Sequence, residues 1–245
     1  MIGNELQAQT NDHTLWRFHE LQQRDGARKL YDVIETRIGD LHRLLAVNER
    51  PLTGSAAVTE ENRIQKLAKD PSRVAAAQKK LEQDVKEGRS LLRTFPSAFI
   101  FRDEGQQGDL LKVGFVPNPN YKPASHEAEV FHHMKGTMVL DTKAKRLVSI
   151  DGRLTSPVKF WYGLLGHLDA SGTFHVEQRY IGDGHWDEIL MDVHMDGKAL
   201  FFRTIGVREK ESYSDYQEEP ENISLQEAAQ QLGKDTSTTA SLHGN

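Results

Sequence analysis

The side chains best placed for chemistry stand on one predicted strand near residue 194. Asp192, His194 and Asp196 fall at alternate positions, so they share one face of that strand, as a metal site or an acid–base pair would require. The opposite face carries apolar residues: Ile189, Met191, Val193 and Met195. A polar face opposite an apolar one is most simply the solvated face of a half-buried strand. The pattern therefore favours a structural role for this cluster over metal binding or catalysis.

The other chemically capable residues have no motif around them. His126, His132 and His133 lack a familiar metal-ligand spacing. The stretch from Gly105 to Gly108 is predicted to be a hairpin turn and not a phosphate-binding loop. No nucleophile elbow surrounds the candidate serines, which are Ser149, Ser156 and Ser171. The sequence therefore predicts a protein that is not an enzyme and has no metal or cofactor, with a hydrolase or metalloenzyme as the third hypothesis.

Composition narrows the class of protein further. The 245 residues are 27% charged, contain no cysteine, and carry a formal charge of −5. An acidic balance argues against nucleic acid as a partner, because phosphate binding needs a concentrated basic surface. No apolar run reaches the roughly 18 residues that a membrane span requires. Residues 1–9 look like the end of a helix whose beginning is missing.

Most of the chain is predicted to form antiparallel strands. A side-chain period of two, interrupted by turn residues, runs through residues 14–47, 98–116 and 135–213. Asp183-Gly184 and Asp196-Gly197 suit tight hairpins, whose central residues need positive φ. The polar stretch from Asp103 to Asp109 is predicted to be a turn. These features predict an α+β fold built on one large antiparallel sheet.

Helical signals occur at two places. Thr59 to Arg93 carries a thin apolar stripe among many charges, with Asp70 as the predicted N-cap and Pro71 as the first helical residue. We interpret it as a solvated insertion, with a partner-docking arm as the alternative. Ser224 and Glu227 form a capping box for a short helix. The predicted organisation is one domain over 1–216, with the insertion at 59–93, followed by a short helix and a disordered tail over 217–245.

Several segments resemble the LolA-like lipoprotein-carrier superfamily, and in particular its uncharacterised bacterial envelope branch. The meander segment Gly136 to Asp141, followed by Arg146-Leu-Val-Ser-Ile, is supported by four others: Arg43 to Leu52, Phe115 to Pro123, Phe160 to Gly166 and Phe201 to Ile205. The resemblance covers roughly residues 14–216. It implies a strongly curved sheet, or half-barrel, with helices on its concave face, and a periplasmic protein that carries lipids. The charged insertion departs from the family pattern.

The alternating strands supply candidates for the lining of an apolar cavity. An acyl chain needs an apolar hollow and no charged contact, because each methylene removed from water contributes about 0.8 kcal/mol. The candidate ligand-binding residues are Trp16, Phe18, Tyr31, Val33, Phe99, Phe101, Val113, Phe115, Met138, Leu140, Trp161, Phe174, Val176, Met191 and Val193. Each of them is also suited to filling an ordinary core.

The leading hypothesis is a monomeric periplasmic carrier of a lipid or an acylated protein. The alternative is an envelope adaptor that docks a protein partner through the charged insertion.

Overall fold

The computed structural model describes residues 14–24, 26–125, 127–160, 166–195, 197–199 and 208–234. Fourteen strands occur there: β1 Leu15–Arg24, β2 Ala27–Ile34, β3 Leu41–Val47, β4 Arg50–Pro51, β5 Phe99–Gln107, β6 Leu110–Pro117, β7 Met134–Asp141, β8 Arg146–Leu154, β9 Val158–Phe160, β10 Gly166–Leu168, β11 Thr173–Gly182, β12 His185–His194, β13 Gly197–Ala199 and β14 Glu209–Glu219. The helices are α1 Gly54–Ala68, α2 Pro71–Ala98 and α3 Leu225–Lys234, with a 3₁₀ helix at Glu127–His133.

Eleven strands form an antiparallel sheet in the order β4-β3-β2-β1-β14-β12-β11-β8-β7-β6-β5, and β13, β10 and β9 form a smaller sheet. The predicted α+β class with a large antiparallel sheet is confirmed. The turn between β11 and β12 has positive φ at Asp183 (46°) and Gly184 (87°), as the Asp-Gly pair predicts.

The chain divides into two compact units, which we name by their positions in the sequence. The central unit lies within Lys86–Glu211, and the flanking unit lies within His13–Val85 and Ser212–Asn245. The core of the central unit is aromatic, and the rings of Phe95, Phe99 and Phe115 have centroids between 4.5 and 5.2 Å apart. Phe131, from the 3₁₀ helix, packs against Phe99 at 5.3 Å. These rings bury one end of the apolar face of β5, β6 and β7.

The flanking unit buries the helices against β2 and β3. Ile34 and Leu41 from the strands, Ile64 from α1 and Leu232 from α3 are fully buried in one cluster, which Val74 of α2 joins. The predicted capping box of α3 is confirmed, since the Ser224 amide donates to Glu227 at 2.9 Å and the Glu227 amide donates to Ser224 Oγ at 3.2 Å. The short C-terminal helix is therefore part of a core.

Some predicted boundaries are wrong. The stretch Asp103–Asp109 is not one long turn, because β5 continues to Gln107 through a bulge between Asp103 and Gly105, where φ of Gly105 is 116°. The helix predicted from Thr59 begins at Gly54. Predictions for residues 1–9, for Leu200 to Val207 and for the tail from residue 235 lie outside the described residues. Within the described ranges, no helix is both long enough and apolar enough to cross a bilayer.

Candidate functional site

Four of the predicted apolar-cavity residues belong to the flanking unit. Val33 is fully buried and Trp16 is nearly so, while Phe18 and Tyr31 are half-buried. The ring of Phe18 lies 5.2 Å from the ring of Tyr216 in β14. Aromatic packing of this kind is ordinary for a sheet surface that contacts other side chains.

The remaining candidates belong to the central unit, and their side chains range from buried to exposed. Phe99, Phe115 and Met138 lie in the core, and Phe101 is 38% exposed. Six others are half-buried: Val113, Leu140, Phe174, Val176, Met191 and Val193. Trp161 lies outside the described residues. The structure thus separates deep core positions from apolar positions that retain solvent contact.

Strand register aligns some of these half-buried residues into a continuous line. Val113 is paired with Met138, Met138 with Ile150, Ile150 with Val176, and Val176 with Met191. We call these five residues the apolar row. It crosses β6, β7, β8, β11 and β12 on one face of the sheet, and only Met138 in it is buried.

Beside the apolar row, two paired glycines allow two phenylalanine rings to pack closely against the backbone of the sheet. Gly136 is paired with Gly152, which is paired with Phe174. A Cβ at Gly152 would lie 2.0 Å from the Phe174 ring, and one at Gly136 would lie 2.6 Å from the Phe115 ring and 1.8 Å from a backbone oxygen. The two glycines therefore fix how the aromatic rings pack on this face.

The opposite face of the same strands carries a cavity of about 480 Å³, which we call the polar trough. Two rows of side chains border it: Lys135, Arg153, Thr173 and His194 in register on one side, and Thr137, Asp151, His175 and Asp192 on the other. Gly136, Gly152 and Phe174, which lie between the rows in register, also line the cavity. The period-two alternation of β-strands therefore separates this polar surface from the apolar row.

His175 is held between two carboxylates on the acidic side of the trough. Its Nδ1 lies 2.6 Å from Asp151 and its Nε2 lies 2.8 Å from Glu177. Burial lowers the pKa of His175, but the hydrogen bonds with Glu177 and Asp151 outweigh it, so the pKa is raised above its ordinary value. The two carboxylates therefore favour the protonated form of His175.

Asp192 contacts two basic side chains. Its carboxylate lies 3.1 Å from His194 Nε2 and 3.4 Å from Lys210 Nζ. On the other side of the trough, Lys135 and Arg153 stand directly opposite each other on β7 and β8. Among the described residues, neither forms an ion pair with a carboxylate.

The geometry does not favour a metal centre. No group of three or more histidine, aspartate or glutamate side chains suited to a metal ion occurs within the described ranges. His133 is engaged with Ser156 Oγ at 2.6 Å, and His126 and Asp196 lie outside the described residues.

The flanking unit has its own charged contacts. His42 Nδ1 lies 3.1 Å from the buried carboxylate of Glu20. Burial lowers the pKa of His42, but hydrogen bonding and the charge of Glu20 raise it above the ordinary value. Arg17 and Asp32 form a further pair at 2.6 Å on the other face of the strands. These pairs join acidic and basic side chains within the flanking unit.

Comparison of the chain with protein-family models gives no match, and comparisons with curated proteins and with solved structures give none either.

Only part of the polar trough was predictable from the sequence. Alternation places Asp192 and His194 on a common face, whereas Lys135, Arg153 and His175 carry no motif and were not predicted as site residues. The signal that identifies them is strand pairing, which places Lys135 opposite Arg153, 18 positions away, and Asp151 opposite His175, 24 positions away.

Proposed function

We propose that this protein is a non-enzymatic carrier that binds an acyl chain of a lipid or of an acylated protein. The observation that supports it is the apolar row, in which four of five apolar side chains retain solvent contact. An apolar surface that crosses five strands and is not fully buried is suited to a flexible hydrocarbon ligand.

The dimensions of the apolar row suit such a ligand. Neighbouring strands lie about 4.8 Å apart, so the four intervals of the row span about 19 Å. One leaflet of a bilayer's hydrocarbon core measures about 15 Å, which is the span of one acyl chain. At about 0.8 kcal/mol for each methylene removed from water, partial coverage of one chain contributes several kcal/mol.

We further propose that the large sheet is a half-barrel and that the protein acts in the periplasm. A half-barrel sheet with helices over its concave face would give the acyl chain a hollow to enter. Periplasmic action is supported by the LolA-like resemblance of the sequence, because a lipid that crosses an aqueous compartment needs its chains shielded from water.

Native mass spectrometry of the purified protein, followed by lipid extraction, tests the proposal. We expect a co-purifying acyl species, and we expect Met191→Glu to reduce its occupancy severalfold, since a carboxylate in the apolar row opposes hydrocarbon binding. Leu190→Glu is the matched control, because Leu190 is half-buried on the other face of the same strand, opposite Glu177.

Circular dichroism first shows that both variants are folded. A wild-type protein that stays free of lipid after incubation with phospholipid vesicles overturns the carrier proposal. Equal lipid occupancy in the folded Met191→Glu and Leu190→Glu proteins would remove the apolar row as the binding surface.

A second candidate function rests on α2. Residues 79–83 are all exposed, and five consecutive residues exceed one 3.6-residue turn, so the whole circumference of the helix meets solvent there. Lys79, Lys80 and Glu82 surround Leu81, which is 48% exposed. This segment suits an adaptor that docks a protein partner through α2.

A further inference from the structure

We propose that the polar trough binds a phosphate group through Lys135 and Arg153. The ligand is a phosphomonoester or a phospholipid head group, and the trough recognises the phosphate that both contain. This site is independent of the apolar row, because the two surfaces lie on opposite faces of β7, β8, β11 and β12.

The basic side of the trough carries two adjacent positive charges. Lys135 and Arg153 are directly opposite in an antiparallel pair, where Cβ atoms lie about 5 Å apart and like charges repel. Neither carboxylate on the acidic side is paired with them, since Asp151 contacts His175, and Asp192 contacts His194 and Lys210. The trough thus presents two adjacent cations that an anionic ligand would neutralise.

The side chains on the basic side of the trough are also suitable hydrogen-bond donors for a phosphate. Arginine offers a planar fork of N–H groups and lysine offers a compact ammonium, and both are common phosphate ligands. The hydroxyl of Thr173 continues the same row beside Arg153. A phosphate monoester carries about −1.5 to −2 charge at neutral pH, which matches two cations better than the single charge of a carboxylate does.

The trough is large enough for a phosphorylated ligand. The cavity of about 480 Å³ falls within the range of pockets that hold small organic ligands. Its volume accommodates a phosphate together with an organic substituent, such as glycerol. The exposed side chains of Arg153 and Thr173 leave the trough accessible from solvent.

Amide chemical-shift titration of the full-length protein tests the site. Glycerol 3-phosphate should shift the amides of Gly136 and Gly152, and its affinity should weaken about tenfold in Arg153→Gln and in Lys135→Gln, since each loses one charge-assisted interaction. Arg153→Lys, which keeps the charge and loses the fork, should fall between wild type and Arg153→Gln. Lys112→Gln is the control, because Lys112 is already paired with Glu104 at 3.4 Å.

The same titration distinguishes the sources of the phosphate. Binding of glycerol 3-phosphate supports a soluble phosphomonoester, whereas binding only to phosphatidylglycerol vesicles, with the same dependence on Arg153, supports a lipid head group. Equal affinity for acetate, unchanged affinity in Arg153→Gln, or no response to either probe would overturn the proposal. None of these outcomes depends on acyl binding at the apolar row.

Discussion

Glu188 on β12 is a half-buried carboxyl group whose pKa is raised to about 8 by burial and by the charges of Glu211 and Asp187. The folded protein therefore holds a proton that the unfolded chain releases near its ordinary pKa of 4.5. Stability should fall as pH rises from about 4.5 to about 8, on the order of 2–4 kcal/mol after allowance for partial exposure. Glu188→Gln should remove this loss, as measured by urea unfolding at pH 5 and pH 9.

Glu218→Gln serves as the control for that prediction, because Glu218 is exposed on β14. It should change unfolding little at either pH. A Glu188→Gln protein with the same pH dependence of unfolding as wild type would show that Glu188 is ionised in the folded state.

The pairing partner of Glu188 could not be predicted from the alternation of residues along β12. Alternation predicts Ile189 in line with Met191, and the apolar character of Met191 and Val193 follows from the same pattern. A bulge opposite the bond between Glu177 and Gln178 inserts one residue, so that Glu188 and not Ile189 is paired with Gln178. Periodicity cannot reveal such an insertion, because the sequence on either side of it continues to alternate.

At the scale of elements, α1 protects the backbone of β3 with one ion pair. The Leu44 amide donates to Glu60 Oε1 at 2.7 Å, and Arg63, which donates to Glu60 at 2.6 Å, also donates to the His42 carbonyl oxygen. Polar groups along a strand edge otherwise invite pairing with another chain. Glu60→Ala should therefore cost about 2–3 kcal/mol of unfolding free energy and speed hydrogen exchange at the Leu44 amide.

A matched variant on a neighbouring helix isolates this effect. Glu82→Ala removes an exposed carboxylate from α2 and should leave both the free energy of unfolding and the Leu44 exchange rate unchanged. If the Leu44 amide exchanges equally slowly in Glu60→Ala, the pair does not protect the strand.

Elements were predictable wherever a local signal sets their ends. The start of α2 follows from Asp70-Pro71, and the Asp70 carboxylate accepts a hydrogen bond from the Arg73 amide at 3.2 Å. The start of α1 at Gly54 was missed, because Thr53 makes no side-chain capping hydrogen bond. The contact that fixes α1 is instead the burial of Ile64 with Leu41, which is a tertiary contact that no local pattern encodes.

At the scale of the whole molecule, the α+β class could be predicted from the periodicity of the sequence. The contribution of the charged helices to the cores could not. The thin apolar stripe of α2 predicts a solvated helix, which residues 79–83 are. Yet Val74 near its start belongs to the core of the flanking unit, and Phe95 near its end belongs to the core of the central unit. Sequence patterns show how much of a helix is apolar and do not show which core receives each residue.

Because the helices contribute residues to both cores, the choice of variant matters in a test that distinguishes the carrier hypothesis from the adaptor hypothesis. Deletion of residues 59–93 would remove Ile64 and Val74 from a core and unfold the protein, so charge reversal on the exposed segment is the better change. We expect the double variant Lys79→Glu with Lys80→Glu to keep the wild-type lipid occupancy in native mass spectrometry, because its changes lie on a fully solvated turn of α2. Met191→Glu should lose lipid and keep any protein partner captured by cross-linking. The opposite result, in which the lysine double variant loses a cross-linked partner and Met191→Glu alters neither readout, would make the protein an adaptor whose working surface is α2.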